Sequence, residues 1–395
     1  MSATGPLQDL RVLELGQLIA GPFCGQLLGD LGAEVIKVEA PGRGDPMRDW
    51  GQGVPVWWSV IARNKKSITL DLRQQAGQDL LLKLVADADV LIENFRPGTL
   101  EKWHLGYEEL AAVNPRLIMV RVSGFGQTGP YAQRAGYGSI GEAMGGIRHL
   151  AGDPDRPPSR VGLSIGDSLA ATFACVGTLA ALHSRDCSGR GQVVDSAIYE
   201  AVLAMMESTI PEFTVGDVIR ERSGAILPKI APSNVYPTQD GEMIVMGANQ
   251  DSVFTRLCEA MEQPLLSADQ RFASHSARGE HQQLLDELIA DWTRLFSADE
   301  LLAKLESAGV PAGRIYRAPE MLVDPHFQAR EAIIPVADAT YPDLQMQNVV
   351  PKLSDTPGSV RWSGPALGEH NQEVYRGLLE LTDEDYAQLQ AEKVI

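Results

Sequence analysis

An aspartate at position 167 stands where a stretch bearing Gly, Ser and Pro (residues 157–166) meets an apolar, Ala-rich run from Ser168 to His183. That run has the length and composition of a buried helix, and it closes at Ser184–Gly191 among Ser, Gly and charged residues. A carboxylate at such a junction meets free backbone N–H groups and the positive end of the helix dipole, and both favour its ionised form. Two roles fit that environment: a helix N-cap and a carboxylate nucleophile. They are compatible, and the local sequence leaves both open.

Other residue types mostly exclude chemistry. The seven histidines (His104, His149, His183, His275, His281, His326, His370) lack metal-ligand spacing such as HExxH, so no metal is expected. The cysteines Cys24, Cys175, Cys187 and Cys258 form no CxxC pair. That argues against a zinc site or disulfide framework and for a reducing, cytoplasmic setting. A net charge of −18 argues against a nucleic-acid partner. Residues 1–134 nevertheless hold 14 basic and 15 acidic side chains, so almost all the excess falls beyond them. Either cations are kept there for an anionic ligand, or the later helices are acidic for solubility. The apolar runs read as too short to cross a bilayer, and the start shows no signal pattern, so no membrane partner is expected.

The elements that must position Asp167 alternate in type. A strand (Leu10–Leu15), a turn (Gly16–Pro22), a helix (Phe23–Leu31) and a second strand (Glu34–Glu39) form a strand–helix–strand unit. Strand Ser67–Leu72, helix Gln74–Ala86, strand Val90–Glu93, helix Tyr107–Val113 and strand Leu117–Val122 continue it. This alternation predicts an open α/β fold with ligands at the carboxyl ends of its strands. The loops at those ends carry Gly or polar residues, but none is GxGxxG or GxxxxGK[ST], which disfavours a nicotinamide or ATP enzyme.

A length of 395 residues suggests two domains. The first part is read as residues 1–207. Residues 208–233, rich in Pro and Gly, read as a linker. A hairpin turning at Asp240-Gly241 opens a small α+β domain over 234–323, with helices at Asp251–Met261, His281–Leu295 and Ala298–Ala308. Residues 324–395 run extended through Asp324–Ser363 and end in a helix, Asp383–Glu392.

Taken in order, several segments resemble the class III CoA-transferases, the family that includes formyl-CoA transferase and succinyl-CoA:glutarate CoA-transferase. They are Ala20-Gly21-Pro22, Gly29-Asp30-Leu31-Gly32-Ala33-Glu34 through Glu39, Gly44-Asp45, Arg63-Asn64-Lys65-Lys66-Ser67-Ile68, Glu93-Asn94-Phe95 and Pro97-Gly98. Gly126-Gln127-Thr128-Gly129-Pro130, Gly166-Asp167, Gly189-Arg190-Gly191-Gln192 and Gly368-Glu369-His370 follow. The resemblance implies a Rossmann-like large domain made from both chain ends, with residues 324–395 returning to it, a small inserted α+β domain, and an interlocked homodimer. It also puts Asp167 on the family's catalytic aspartate.

The implied reaction exchanges one thioester for another of similar energy, so it needs no bound cofactor; CoA is a co-substrate. Asp167 would attack an acyl-CoA to form a mixed anhydride, and the released thiolate would convert it to an aspartyl-CoA thioester for the acceptor acid to reverse. Backbone donors at Ile19, Ala20 and Gly21 would serve the oxyanion. For CoA, Lys102 matches a phosphate-contacting Arg, Asn94 and Phe95 match residues lining the site, and Leu72 falls in the adenine pocket. Arg43, Arg96 and Arg134 are either further cations for CoA or solvated surface arginines. Ala40 departs from the pattern by standing where formyl-CoA transferase has Arg. Gly247 lies in a loop, Met246–Gln250, that is either a lid or an ordinary strand-to-helix turn.

Tyr137 occupies the place of the catalytic His in the α-methylacyl-CoA racemases that share the fold. A phenol is a poor base at neutral pH, which disfavours racemisation and leaves Tyr137 to an acyl pocket or to packing. The Arg63–Lys66 and Gly126–Pro130 runs are similar to those of succinyl-CoA-using dicarboxylate members. The expected activity is CoA transfer from succinyl-CoA to a short dicarboxylate. The alternatives are a racemase and a CoA-binding protein without catalysis.

Overall fold

The computed structural model describes residues 5–395. Chain contacts divide them into two compact units, the larger comprising residues up to Ile147, Val161–Asp217 and His326–Ile395. The smaller holds Arg148–Arg160 and Val218–Pro325.

The larger unit is built on six parallel strands: β1 (Arg11–Glu14), β2 (Glu34–Glu39), β3 (Lys65–Thr69), β4 (Val90–Glu93), β5 (Ile118–Ser123) and β6 (Val193–Ala197). Their spatial order is β3-β2-β1-β4-β5-β6, the doubly wound order whose reversal between β1 and β4 opens a crevice at the strands' carboxyl ends. Successive residues face opposite sides of the sheet. Leu13, Ile36, Leu91 and Met119 pack with Leu80, Leu81 and Leu84 of the helix Gln75–Val85. Val12, Val35, Val90 and Ile118 pack on the other side, against helices α1 (Ala20–Asp30) and, further along the chain, Ile165–Ser188. The Rossmann-like unit is therefore formed from both chain ends, as the resemblance implied.

The C-terminal segment completes the sheet by occupying the outer edge of β3. Trp362 Nε1 donates to Lys65 O (2.9 Å), His370 N to Ser67 O (2.9 Å), and Tyr375 Oη to Thr69 O (2.7 Å). Ser67 N and Thr69 N donate in turn to His370 Nδ1 and Asn371 Oδ1. Every backbone group that an edge strand would leave exposed over these residues thus has a partner.

Several boundaries differ from the sequence expectation. The first helix begins at Ala20 rather than Phe23, because Pro22 sits in its first turn, where no N–H is needed and its fixed φ suits a helix. Thr209–Gly216, within the stretch read as linker, is a helix with Pro211 in its first turn. Part of Asp324–Ser363 forms a short antiparallel pair, Ile333–Pro335 with Gln345–Gln347. Strand β6 was not anticipated. The helix Ile165–Ser188 runs 24 residues and is apolar enough for a membrane span, contrary to the expectation that no run qualifies. Here it packs on the sheet, burying Ala170, Ala171 and Ala174.

The smaller unit carries a three-stranded antiparallel sheet, Ser233–Pro237, Met243–Gly247 and Ala312–Arg314. Its hairpin turns at Gly241 with φ +79°, a left-handed conformation suited to glycine. Helices Asp251–Ala260, Gln282–Thr293 and Ala298–Ser307 contribute Phe254, Leu257, Leu285, Ile289 and Leu301 to its core.

Candidate active site

The C-terminal edge of the large sheet gathers the loops that follow its strands. Two further helices matter here: α2 (Gly138–Met144) and α3 (Ile165–Ser188). The chain reaches the sheet's carboxyl edge before α1 and α3, and both helices run back along the sheet. Their first turns, residues 19–21 and 165–167, therefore emerge at that edge, and the two helices pack on each other.

Asp167 is the third residue of α3; Ser164 takes the N-cap position, so the N-cap reading of Asp167 is corrected. The carboxylate still lies within the first turn, where the unbonded N–H groups and dipole favour its charged form. It is half-buried. The backbone of Gly138 comes close to it: a Cβ built there would stand 2.2 Å from Asp167 Oδ2 and 2.7 Å from Cγ. The first turn of α2 is thus packed against the carboxylate, and any side chain at this position would have to displace it. Gly166 makes the same kind of approach, its Cβ position lying 3.1 Å from Gly138 O and 3.0 Å from Glu142 Cγ. Glu142 is wholly buried, and its Oε1 accepts from Gly166 N at 3.4 Å.

The loop after β1 is held from several directions. Gln17 N donates to Asn94 Oδ1 and Asn94 Nδ2 to Gln17 O, both at 2.8 Å. Leu18 N donates to Asp45 Oδ1 at 3.0 Å. Leu18 itself is left-handed, φ +62°. Ile19 is the N-cap of α1, and the N–H groups of Ala20 and Gly21 come before the first intrahelical donor, Phe23 N, so the helix itself offers them no acceptor. The N–H groups of Ala20 and Gly21 lie at the start of the helix on this edge, whereas the amide of Asn94 is committed to shaping the loop.

A cleft of about 210 Å³ lies across the ends of β1 to β4. Its apolar wall is Leu15, Val38, Leu70 and Leu72, and Phe95 and Trp103 meet edge to face, 5.8 Å between ring centroids. Leu72 and Phe95 are thus brought together in one cleft. Ala40 lies on the same wall, and its cation is Arg73, paired with Asp71 at 2.8 Å. Lys102, Arg43, Arg96 and Arg134 are exposed and do not line it; the Arg134 guanidinium lies 3.6 Å from the Tyr131 ring centroid. Tyr137 caps α2 and is 71% exposed, so this chain gives it no packing role. In the smaller unit, Gly247 N donates to Pro311 O and Ala248 N to Pro232 O, ahead of the helix Asp251–Ala260. Among the described residues no three His, Cys, Asp or Glu side chains group as a metal site.

Gly138, Glu142, Arg73 and Trp103 were missed by sequence reasoning. Only the first had a local signal, the Gly136-Tyr137-Gly138 pattern around the residue already singled out.

Comparison with known proteins adds four findings. A family model described as CoA-transferase family III matches residues 7–371. A succinyl-CoA–D-citramalate CoA-transferase of Chloroflexus aurantiacus is 64% identical over 394 residues, covering 99% of this chain and 98% of that protein. The alpha subunit of a succinyl-CoA–L-malate CoA-transferase of the same species is 39% identical, covering 99% and 92%. Among solved structures, a CAIB/BAIF family protein from Brucella suis superposes with a TM-score of 0.85 at 35% identity, over 95% of this chain and 100% of that one.

Replacing Gly138 by Ala puts a methyl group against the Asp167 carboxylate while leaving helix α2 a better helix former. Displacement of about 1 Å at a reacting group can cost about 100-fold. The Gly138→Ala protein is expected to unfold within a few degrees of the wild type and to lose turnover by roughly that factor. Unchanged turnover would remove the carboxylate–Gly138 contact from the chemistry.

Proposed function

The chain belongs to CoA-transferase family III and is a transferase of CoA between acids; on that premise we propose that it uses succinyl-CoA as donor, a short dicarboxylate of the citramalate type as acceptor, and Asp167 as nucleophile. The observation that carries the mechanism is the carboxylate of Asp167 in the first turn of α3, set against Gly138 at the same sheet edge as the donors of α1. The acceptor class rests on the 64% identity to the succinyl-CoA–D-citramalate enzyme over nearly all of both chains.

In this reading an Asp167 oxygen attacks the thioester carbonyl, the C–S bond breaks, and a succinyl–aspartyl anhydride and CoA thiolate result. The thiolate attacks the aspartyl carbonyl, releasing succinate and leaving an aspartyl-CoA thioester. The acceptor carboxylate then attacks that thioester, and the expelled thiolate attacks the acceptor's acyl carbon, regenerating Asp167. Each step passes through an oxyanion, for which the Ala20 and Gly21 N–H groups in the first turn of α1 are the donors in this reading. The adenine of CoA takes the cleft between Leu72 and Phe95, and Arg73 supplies the cation that Ala40 lacks. The four thiols, none of them in a disulfide, agree with a cytoplasmic enzyme.

We also infer a homodimer. Tyr137, Ile140 and Met144 on and beside α2, and Phe173, Val176 and Leu179 on α3, are all more than a third exposed. An apolar surface of this kind on a folded chain marks an association site. A second copy covering it explains how α3 can be both span-like in composition and half uncovered.

Mass spectrometry of a mixture of the protein, succinyl-CoA and a panel of acids (D-citramalate, L-malate, glutarate, itaconate, oxalate, carnitine) tests the activity. The expected outcome is citramalyl-CoA formed in step with succinate, abolished in Asp167→Ala although CoA still binds. Full turnover by Asp167→Ala would remove the covalent route, and transfer to carnitine alone would overturn the acceptor class. In the same assay Arg73→Ala is expected to raise KM for succinyl-CoA about fivefold to tenfold through loss of a charge-assisted phosphate contact, with kcat unaltered. An unchanged KM would leave Arg73 out of CoA binding. Analytical ultracentrifugation should give twice the chain mass at micromolar concentration; a monomer there contradicts the dimer.

A further inference from the structure

The loop from Gly16 to Pro22 joins β1 to α1 and is held by a set of buried charges that no step of the reaction uses. Lys37 Nζ donates to the carbonyl of Gly16 and, at 2.8 Å, to Asp45 Oδ2. Asp45 accepts from Leu18 N through both oxygens, at 3.0 and 3.2 Å, and from Met47 N at 2.9 Å. Lys65 Nζ donates to Pro22 O at 2.6 Å, closing the far side. Lys37, Asp45 and Lys65 are at most 2% exposed.

Leu18 is the strained point of the loop. Its φ of +62° lies in the left-handed region, which costs a non-glycine residue free energy and persists only where the surroundings impose it. Asp45 is the imposing group, since its carboxylate receives the Leu18 N–H. The next residue, Ile19, is the N-cap of α1, and its carbonyl accepts the first helical bond from Phe23 N at 2.7 Å. The orientation of Leu18 therefore sets the direction in which the N–H groups of Ala20 and Gly21 point.

We propose that Asp45, anchored by Lys37, is a positioning residue for catalysis: it holds Leu18 left-handed so that the first-turn N–H groups of α1 are aimed at the oxyanion formed over Asp167. This rests on the reading of residues 19–21 as the oxyanion donors. Asp45 touches neither substrate nor Asp167 in this scheme; it acts through the loop. Preorganised donors stabilise a transition state far more than a ground state, so loss of aim should appear in kcat rather than in KM.

The test measures kcat and KM for succinyl-CoA, with an acceptor the unaltered enzyme uses, in four proteins. Asp45→Asn offers one acceptor oxygen in place of two and turns an amide donor toward Lys37. Its kcat is expected to fall about 10- to 100-fold with KM within about threefold. Leu18→Val leaves the buried charges intact but makes a left-handed conformation costlier for a β-branched residue, and should lower kcat in the same way. Glycine adopts that conformation freely, so Leu18→Gly in the Asp45→Asn background should recover at least about fivefold of the lost kcat. Recovery by glycine is a readout that mere loss of stability would not produce.

If Asp45→Asn does not fold, Leu18→Val decides alone: a selective fall in kcat supports the assignment and an unaltered kcat overturns it. Equal losses with Leu and Gly at position 18, or a rise in KM at constant kcat, also overturn it. Normal transfer by every variant removes only the role of Asp45. Absence of transfer by the unaltered enzyme removes the parent reading, and this one with it.

Discussion

The buried contact among Glu14, Lys37 and Lys65 is the constraint on which the rest of the large unit depends. These residues lie on three neighbouring strands, and Glu14 and Lys37 are register partners. Lys65 Nζ lies 2.7 Å from one oxygen of Glu14, and Lys37 Nζ lies 3.2 Å from the other. Burying each charge costs several kcal/mol, which is offset only when every partner is in place. Burial pushes Lys37 down, but Asp45, Glu14 and Glu39 outweigh it and leave its pKa raised. Burial also pushes Lys65 down; Glu14 answers only in part, Lys37 adds repulsion, and the net shift stays downward. Asp45 bonds Lys37 directly, so two carboxylates balance two ammonium groups, and Asp45 stands on the side that meets the β1–α1 loop. The same charges that join three strands therefore also hold that loop at the sheet's carboxyl edge.

The two helices to which the proposed chemistry is assigned are treated differently. α1 receives its orientation from charged groups beneath its entry loop, whereas α3 receives its own from the absence of side chains. Gly138 and Gly166 let the first turns of α2 and α3 approach until backbone meets carboxylate. A side chain held by packing against backbone has little room to swing, which suits the proposed role of a group that first attacks a carbonyl and is then attacked at its own. The buried Glu142 reinforces this contact from the α2 side through Gly166 N.

Much of this was legible in the sequence, but unevenly. Alternating strands and helices gave the parallel sheet, and the ordered motifs gave the family. The motifs themselves have a different meaning in the fold. Arg63 and Asn64 bind Asp30, Lys65 binds Glu14, and Gly368–His370 partners the edge of β3. They are scaffold, and a linear reading cannot tell a residue that touches substrate from one that touches a distant strand. The start of α3 was misplaced by three residues because Ile165-Gly166 looked like loop, although Gly166 is there for closeness to Gly138. β6 was missed because Val193–Ala197 is short and includes a charged residue. Arg73 adjoins Leu72 in sequence, yet only the fold shows that it lines the same cleft as Ala40.

The capped edge of β3 bears on the order in which the molecule can be made. Lys65–Thr69 leaves the ribosome about 300 residues ahead of the segment that covers it, Trp362 to Tyr375. At typical elongation rates of about 5–20 residues per second, that interval is on the order of tens of seconds. During it the nascent sheet has strands to pair but no cover for its outer edge, the situation in which chains join to one another instead. Lys66 lies in this strand, and in the finished protein it is held by Glu34 and by Glu373 from the late segment. A charged lysine at an open edge discourages a second strand from docking. One side chain thus guards the growing polypeptide and later fastens its closing segment.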